Sequence, residues 1–307
     1  NLIVTLLFAL NAVFRGAGNP GIALRTLAIA NGINIVLDPL FIFGIGPFPE
    51  LGVQGAAVAT TTGRGLGVIY LLWNFYRRDG SLAVTLPDLR PVRDVLRGIV
   101  KVSLGAVGQF LIASLSWVFL VRIVADFGTE AVGGYGVAVR IIIVALLPAW
   151  GMANAAATLV GQNLGALQPE RAARSAWLCG HYNMVFMVLV TVFFWAAAPW
   201  IVSFFDQGPV ADGYAILALR VISLGYFFYG YGMVLAQALN GAGDSVTPTW
   251  LNVICFWALE IPLAYAMALK FGMGPLGVFA SVAISESILA VLCAIIFQRG
   301  KWKLAKV

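Results

Sequence analysis

Asn34 and Asp38 are separated by one helical turn, so an amide and a carboxylate project from the same face of a helix. Pro39 follows at once and removes a backbone donor, which frees a nearby carbonyl oxygen as a ligand. A carboxylate, an amide oxygen and loosened backbone suit a hard monovalent cation, such as sodium, or an exchangeable proton. Thr60, in Gly55-Ala56-Ala57-Val58-Ala59-Thr60, offers a hydroxyl oxygen from the next apolar stretch. The competing use of Asn34 and Asp38 is as hydrogen-bonding glue between helices. Other ionisable residues interrupt apolar stretches at Arg64, Arg140, Arg220, Glu260 and Glu286. At membrane depth each is costly unless it is paired, hydrated or facing a cavity. Glu260 precedes Pro262 and weakly echoes the carboxylate-plus-proline arrangement; pairing with Arg140 or Arg220 is as good a reading of it as contact with a substrate. Glu286 and Arg64 receive no role from sequence.

The elements that position these groups follow from composition. Among 307 residues, 61% are hydrophobic and 10% charged, with a mean hydropathy of +0.93. That is too few charges to coat a soluble core. Apolar stretches long enough to cross hydrocarbon as helices fall near 21–44, 53–76, 97–123, 131–160, 174–204, 211–239, 247–271 and 275–298. The expected fold is therefore an all-α polytopic membrane protein with eight complete spans.

A short duplication organises them. Arg15-Gly16-Ala17-Gly18 and Leu51-Gly52-Val53 recur 225 residues later as Asn240-Gly241-Ala242-Gly243 and Leu276-Gly277-Val278. Repeats of this kind are typical of secondary transporters, whose substrate sits between two homologous bundles. The expected organisation is the end of a first bundle over 1–76, a linker over 77–96 rich in Pro and charge, a complete second bundle over 97–298, and a basic tail over 299–307. The stretch from Leu2 to Phe14 is short for a span and Asn1 is not Met, so the reading is of a fragment lacking roughly three and a half helices.

Fourteen of the nineteen Lys and Arg lie in alternate loops, which places 15–25, 77–97, 161–174 and the carboxyl terminus on the cytoplasmic side of a plasma or inner membrane. The same distribution explains the net charge of +6 without nucleic acid as a partner. Cys179, Cys255 and Cys293 form no close pair, and the lone His181 supports neither a zinc site nor a catalytic triad. An enzyme is not expected.

The residues resemble the multidrug and toxic compound extrusion (MATE) transporters. The resemblance is carried by Asn34-Ile35-Val36-Leu37-Asp38-Pro39, Leu51-Gly52-Val53-Gln54-Gly55-Ala56-Ala57-Val58-Ala59-Thr60, Val160-Gly161-Gln162-Asn163-Leu164-Gly165-Ala166 and Gln237-Ala238-Leu239-Asn240-Gly241-Ala242-Gly243-Asp244. It implies twelve helices in two six-helix lobes in the whole protein. It also implies export of drugs, organic cations or metabolites by alternating access, driven by a proton or sodium gradient with no other cofactor. Asn34, Asp38 and Thr60 match the family's amino-lobe cation site, which an aspartate of the first helix completes. One branch of the family adds carboxylates in the seventh and tenth helices; Gly105 to Ser116 and Phe227 to Ala236 hold none. Expected partners are a small-molecule substrate and the lipid bilayer, and the expected state is a monomer. Gln109, Trp117, Tyr135, Trp150, Phe227, Tyr229 and Tyr231 offer amide and aromatic surface for flat cations, although interfacial aromatics are as common. Gln109, Tyr229, Glu260 and Arg140 are the cavity candidates. The rival readings are a lipid-linked oligosaccharide flippase, which needs a strongly basic cavity, and a membrane scaffold without transport.

Overall fold

The computed structural model describes residues 2–77 and 90–304, and no strand occurs among them. The chain divides into two compact units, Asn1–Val92 and Arg93–Val307. The first contains helices α1 (Leu2–Gly16), α2 (Pro20–Phe43) and α3 (Val53–Arg77). The second contains α4 (Arg93–Ala125), α5 (Thr129–Gly165), α6 (Pro169–Val202), α7 (Pro209–Ser223), α8 (Tyr226–Gly241), α9 (Val246–Lys270) and α10 (Pro275–Gln298), closed by a 3-10 turn at Lys301–Leu304. Most of the expected linker, 78–89, lies outside the described residues.

Sequence punctuation sets the helix limits. Proline opens α2, α6, α7 and α10, where its missing N–H has no helical partner to lose. The duplicated glycines close α1 and α8 in the same way. Gly18 has φ 84° and Gly243 φ 83°. The next N–H reaches back five residues in each, Asn19 to Phe14 at 2.9 Å and Asp244 to Leu239 at 3.0 Å. α5 ends on a third such turn, with Leu167 at φ 58° and Gln168 N–H bonded to Asn163 O at 2.8 Å. The duplication is thus a duplication of helices, since α1, α2 and α3 recur as α8, α9 and α10 at nearly the same offset.

Six helices among the described residues are long and apolar enough to span a membrane, and a seventh span arises if α7 and α8 are counted together. All eight expected stretches are helical, and two of them differ in detail from a straight apolar span. The single span expected over 211–239 breaks at Leu224–Gly225, where α7 and α8 meet at a bend of 61°. A Cβ at Gly225 would lie 2.8 Å from the Ala283 carbonyl oxygen, so glycine allows the break to press against α10. The span over 53–76 exists as the 25-residue α3, but Gln54, Thr60, Thr61, Thr62 and Arg64 leave it less apolar than the six.

Packing in the first unit rests on small residues, as expected where lipid removes the usual hydrophobic gain between helices. Gly55, Ala59, Gly63 and Gly67 recur every four residues on α3 and are buried. Gly63 sits against the Ala30 carbonyl and Gly67 against Ala30 and Thr26 of α2. The second unit packs α5 against α6, α7 and α8, and α10 against α7, α8 and α9. Its core includes Phe194, Leu219 and Met187, with Tyr135 stacked on Phe279 at 5.6 Å.

The terminal turn is anchored by Trp302, which is 3% exposed, stacks on Phe297 at 4.5 Å and donates its indole N–H to Phe297 O at 2.8 Å. Lys303 pairs with Glu170 at 2.8 Å, but Glu170 is exposed, so this contact contributes little. Trp302→Ala is therefore expected to destabilise the second unit by about 3 kcal/mol, as a lowered unfolding temperature in detergent, whereas Lys303→Ala leaves it almost unchanged.

Candidate cation site

The three residues singled out for cation chemistry come together within the first unit. Asn34 Nδ2 donates to Asp38 Oδ1 at 3.1 Å along α2 and to Thr60 Oγ1 at 3.3 Å on α3. The cause is local. The four-residue spacing puts Asn34 over Asp38, and Gly63, one turn from Thr60, lets the α3 backbone approach closely enough for Thr60 to complete the group. All three side chains are partly buried, and Pro39 lies inside α2 directly after Asp38. The amide N–H groups are committed to Asp38 and Thr60, which leaves the Asn34 amide oxygen, the second carboxylate oxygen and the hydroxyl as ligand atoms.

The cavity candidates of the second unit do not form one site. Gln109 and Asn240 exchange amide hydrogen bonds at 3.0 and 3.1 Å, and Gln109 also donates to Ser245 O at 3.2 Å, tying α4 to the end of α8. Arg140 is exposed on α5. Glu260 is 2% exposed and pairs with neither arginine: it accepts from Ser116 Oγ at 2.7 Å. Arg220 instead donates to Trp195 O at 3.2 Å and lies over the Trp195 ring. This removes the ion-pair reading, one of the two held for Glu260; Ser116, on α4, is the residue within reach. Tyr229 lines a small cavity with Trp117, Tyr226 and Glu286. Glu286 was visible as an ionisable residue in an apolar span, but nothing in its local sequence pointed to Tyr226.

Apolar helices of spanning length, a duplicated three-helix plan and a carboxylate–amide–hydroxyl group between two of them define a multi-pass membrane protein built like a secondary transporter. The MatE family model matches residues 106–266, more than half of the chain, and the chain belongs to that family. Its members are transporters, not enzymes. The chain is 26% identical over 302 residues to a probable multidrug resistance protein NorM of Thermotoga maritima, covering 97% of this chain and 64% of that protein. It is 26% identical over 297 residues to an FAD transporter of Shewanella oneidensis, covering 97% and 65%. A solved MOP superfamily transporter from Pyrococcus furiosus superposes with a TM-score of 0.91 at 25% identity, over 98% of this chain and 67% of that one. The chain thus spans about two thirds of the length of the relatives it matches.

Proposed function

We propose that the protein exports small molecules, either drugs and organic cations or metabolites, in exchange for protons or sodium ions bound at Asp38. The observation that carries this is the convergence of Asn34, Asp38 and Thr60. A carboxylate at membrane depth must be neutralised as its surroundings close, and a proton or a sodium ion does so in a way that a fixed ion pair does not. Neutralisation then favours one arrangement of the helices around α2, release the other, and substrate moves outward against the inward flow of the cation. Loops 15–25 and 161–174 and the carboxyl terminus face the cytoplasm in this reading. The names of the relatives support both substrate classes, a multidrug protein and an FAD transporter at equal identity.

The flippase reading is weaker because a strongly basic cavity needs more than Arg64, Arg140 and Arg220, and Arg220 is engaged with Trp195. A scaffold would have no need of a titratable carboxylate beside Asn34. Ethidium efflux from drug-sensitive cells carrying the complete protein tests the proposal, with an uncoupler as control. Uncoupler-sensitive efflux supports drug export; absence of efflux despite verified expression directs the search to flavin and other metabolite substrates.

Thr60→Val separates the two coupling ions. In a sodium-driven cycle, loss of one oxygen ligand raises the half-saturating sodium concentration about tenfold. In a proton-driven cycle the pH dependence of efflux stays as it was. Efflux measured across sodium and pH series in vesicles distinguishes them.

A further inference from the structure

Within its apolar spanning helices the second unit contains two carboxylates, Glu260 and Glu286, that no lysine, arginine or histidine neutralises among the described residues. Glu260, on α9, is held by Ser116. Glu286, on α10, has its Oε2 buried without any hydrogen-bond partner. It lines a cavity of about 40 Å³ whose other walls include Trp117, Ile142, Leu146, Ile222 and Tyr226. The Tyr226 hydroxyl is likewise buried and without a partner, in a residue only 4% exposed. Two residues that each carry an unpartnered polar atom therefore line one space with room for about one water molecule. α10 packs on α7, α8, α9 and α4. The titratable groups within electrostatic reach of Glu286 from these elements are Glu260 and Cys255 on α9, Tyr226 and Tyr229 on α8, and Cys293 on α10 itself. Arg220 on α7 is turned to Trp195 on α6.

The walls decide what can occupy the space. A dehydrated sodium ion needs several oxygen ligands, and besides the Glu286 carboxyl the side chains of the lining offer only the phenols of Tyr226 and Tyr229 and the indole of Trp117 among apolar groups. An ionised carboxylate oxygen with no donor in such a place is costly. A proton removes the charge and supplies a donor, and one water or a small rotation links it to the Tyr226 hydroxyl. We propose that Glu286, with Tyr226 beside it and Glu260 on the neighbouring helix, is a proton-binding site internal to the second unit and separate from Asp38. Its proton leaves as the cavity opens to water, so the second unit carries an exchangeable proton of its own. The two carboxylates lie on α9 and α10, outside Gly105 to Ser116 and Phe227 to Ala236, while Tyr226 comes from α8.

Infrared difference spectra of the complete protein in liposomes, recorded as pH is raised, test this directly. The expected result is a protonated-carboxyl carbonyl band that disappears with rising pH, is lost in Glu286→Gln, persists in Asp38→Asn, and moves in frequency in Tyr226→Phe. Labelling of the wild-type protein with a hydrophobic carbodiimide, which reacts with protonated carboxyls in apolar surroundings, is expected to modify Glu286 and to decline as pH rises. A wild-type spectrum without such a band, a band that survives Glu286→Gln, or one that is insensitive to pH overturns the proposal. Because the band is read in the presence of Asp38→Asn, a failure of Asp38 in efflux and a failure of this site give different results.

Discussion

Asp38→Asn is expected to abolish cation-driven efflux, leaving ethidium export at the level of uncoupler-treated cells, while the protein inserts and folds almost as before. The substitution keeps the shape of the side chain and removes only its charge and its proton. Asn34 donates to Asp38 Oδ1 at 3.1 Å, and an amide oxygen at that place still accepts the bond. Thr60 likewise keeps its bond from Asn34. What disappears is the step that makes the cation necessary: a neutral residue has no charge to cancel when the site closes, so the conformational equilibrium no longer depends on the cation gradient. The driving force forgone is large, since the membrane potential alone supplies roughly 2.3 kcal/mol per charge per 100 mV. Efflux by the variant at the wild-type rate would remove Asp38 from the mechanism.

Gly63→Val is expected to abolish efflux by a different route, with a measurable loss of stability. A Cβ at Gly63 would lie 2.7 Å from the Ala30 carbonyl oxygen, a backbone atom that cannot move aside, and 3.5 Å from Asn34 Cβ. The α2 and α3 backbones must then separate next to the 3.3 Å contact between Asn34 and Thr60. Overpacking of this kind costs about 1–3 kcal/mol, and the lost contact takes Thr60 out of the cation site. Gly65→Val is the control, because nothing lies within 4 Å of a Cβ there. The unfolding temperature in detergent and ethidium efflux are measured for both. Equal behaviour of the two variants would mean that the close approach of α2 and α3 does not matter to function.

The parts of this arrangement that were legible in the sequence are those set by neighbours along the chain. Pro20 and the glycine after Phe43 bracket α2 within a residue of the expected 21–44, because each acts on its own backbone angles. Asn34 over Asp38 follows from helical spacing; the four-residue stripe Gly55, Ala59, Gly63 and Gly67 was present in the sequence, but only the structure shows it to be the face toward α2. The bond between Ser116 and Glu260 joins residues 144 apart, and no periodicity encodes which of several polar residues on α4 meets α9. Arg140 and Arg220, the partners in one of the two readings of Glu260, had the right charge, but helix packing turned one outward and the other to Trp195. The break at Gly225 was hidden for a related reason. Within an apolar run a glycine reads as small, and only the nearness of Ala283 makes it a corner.

The repeated helices α2 and α9 are not equal copies. α9 contains wide, π-type turns at Val253–Glu260 and Ala266–Lys270, whereas α2 is α-helical throughout. A wide turn holds more residues per revolution and so changes the direction in which every later side chain points. Position 263, which is Leu, corresponds to Asp38 by the duplication, but after the first wide turn it no longer shares Asp38's bearing. Grafting Asn34 and Asp38 onto positions 259 and 263 would therefore not create a twin of the first site. The repeat thus supplies two scaffolds whose matching positions face different ways beyond the first wide turn.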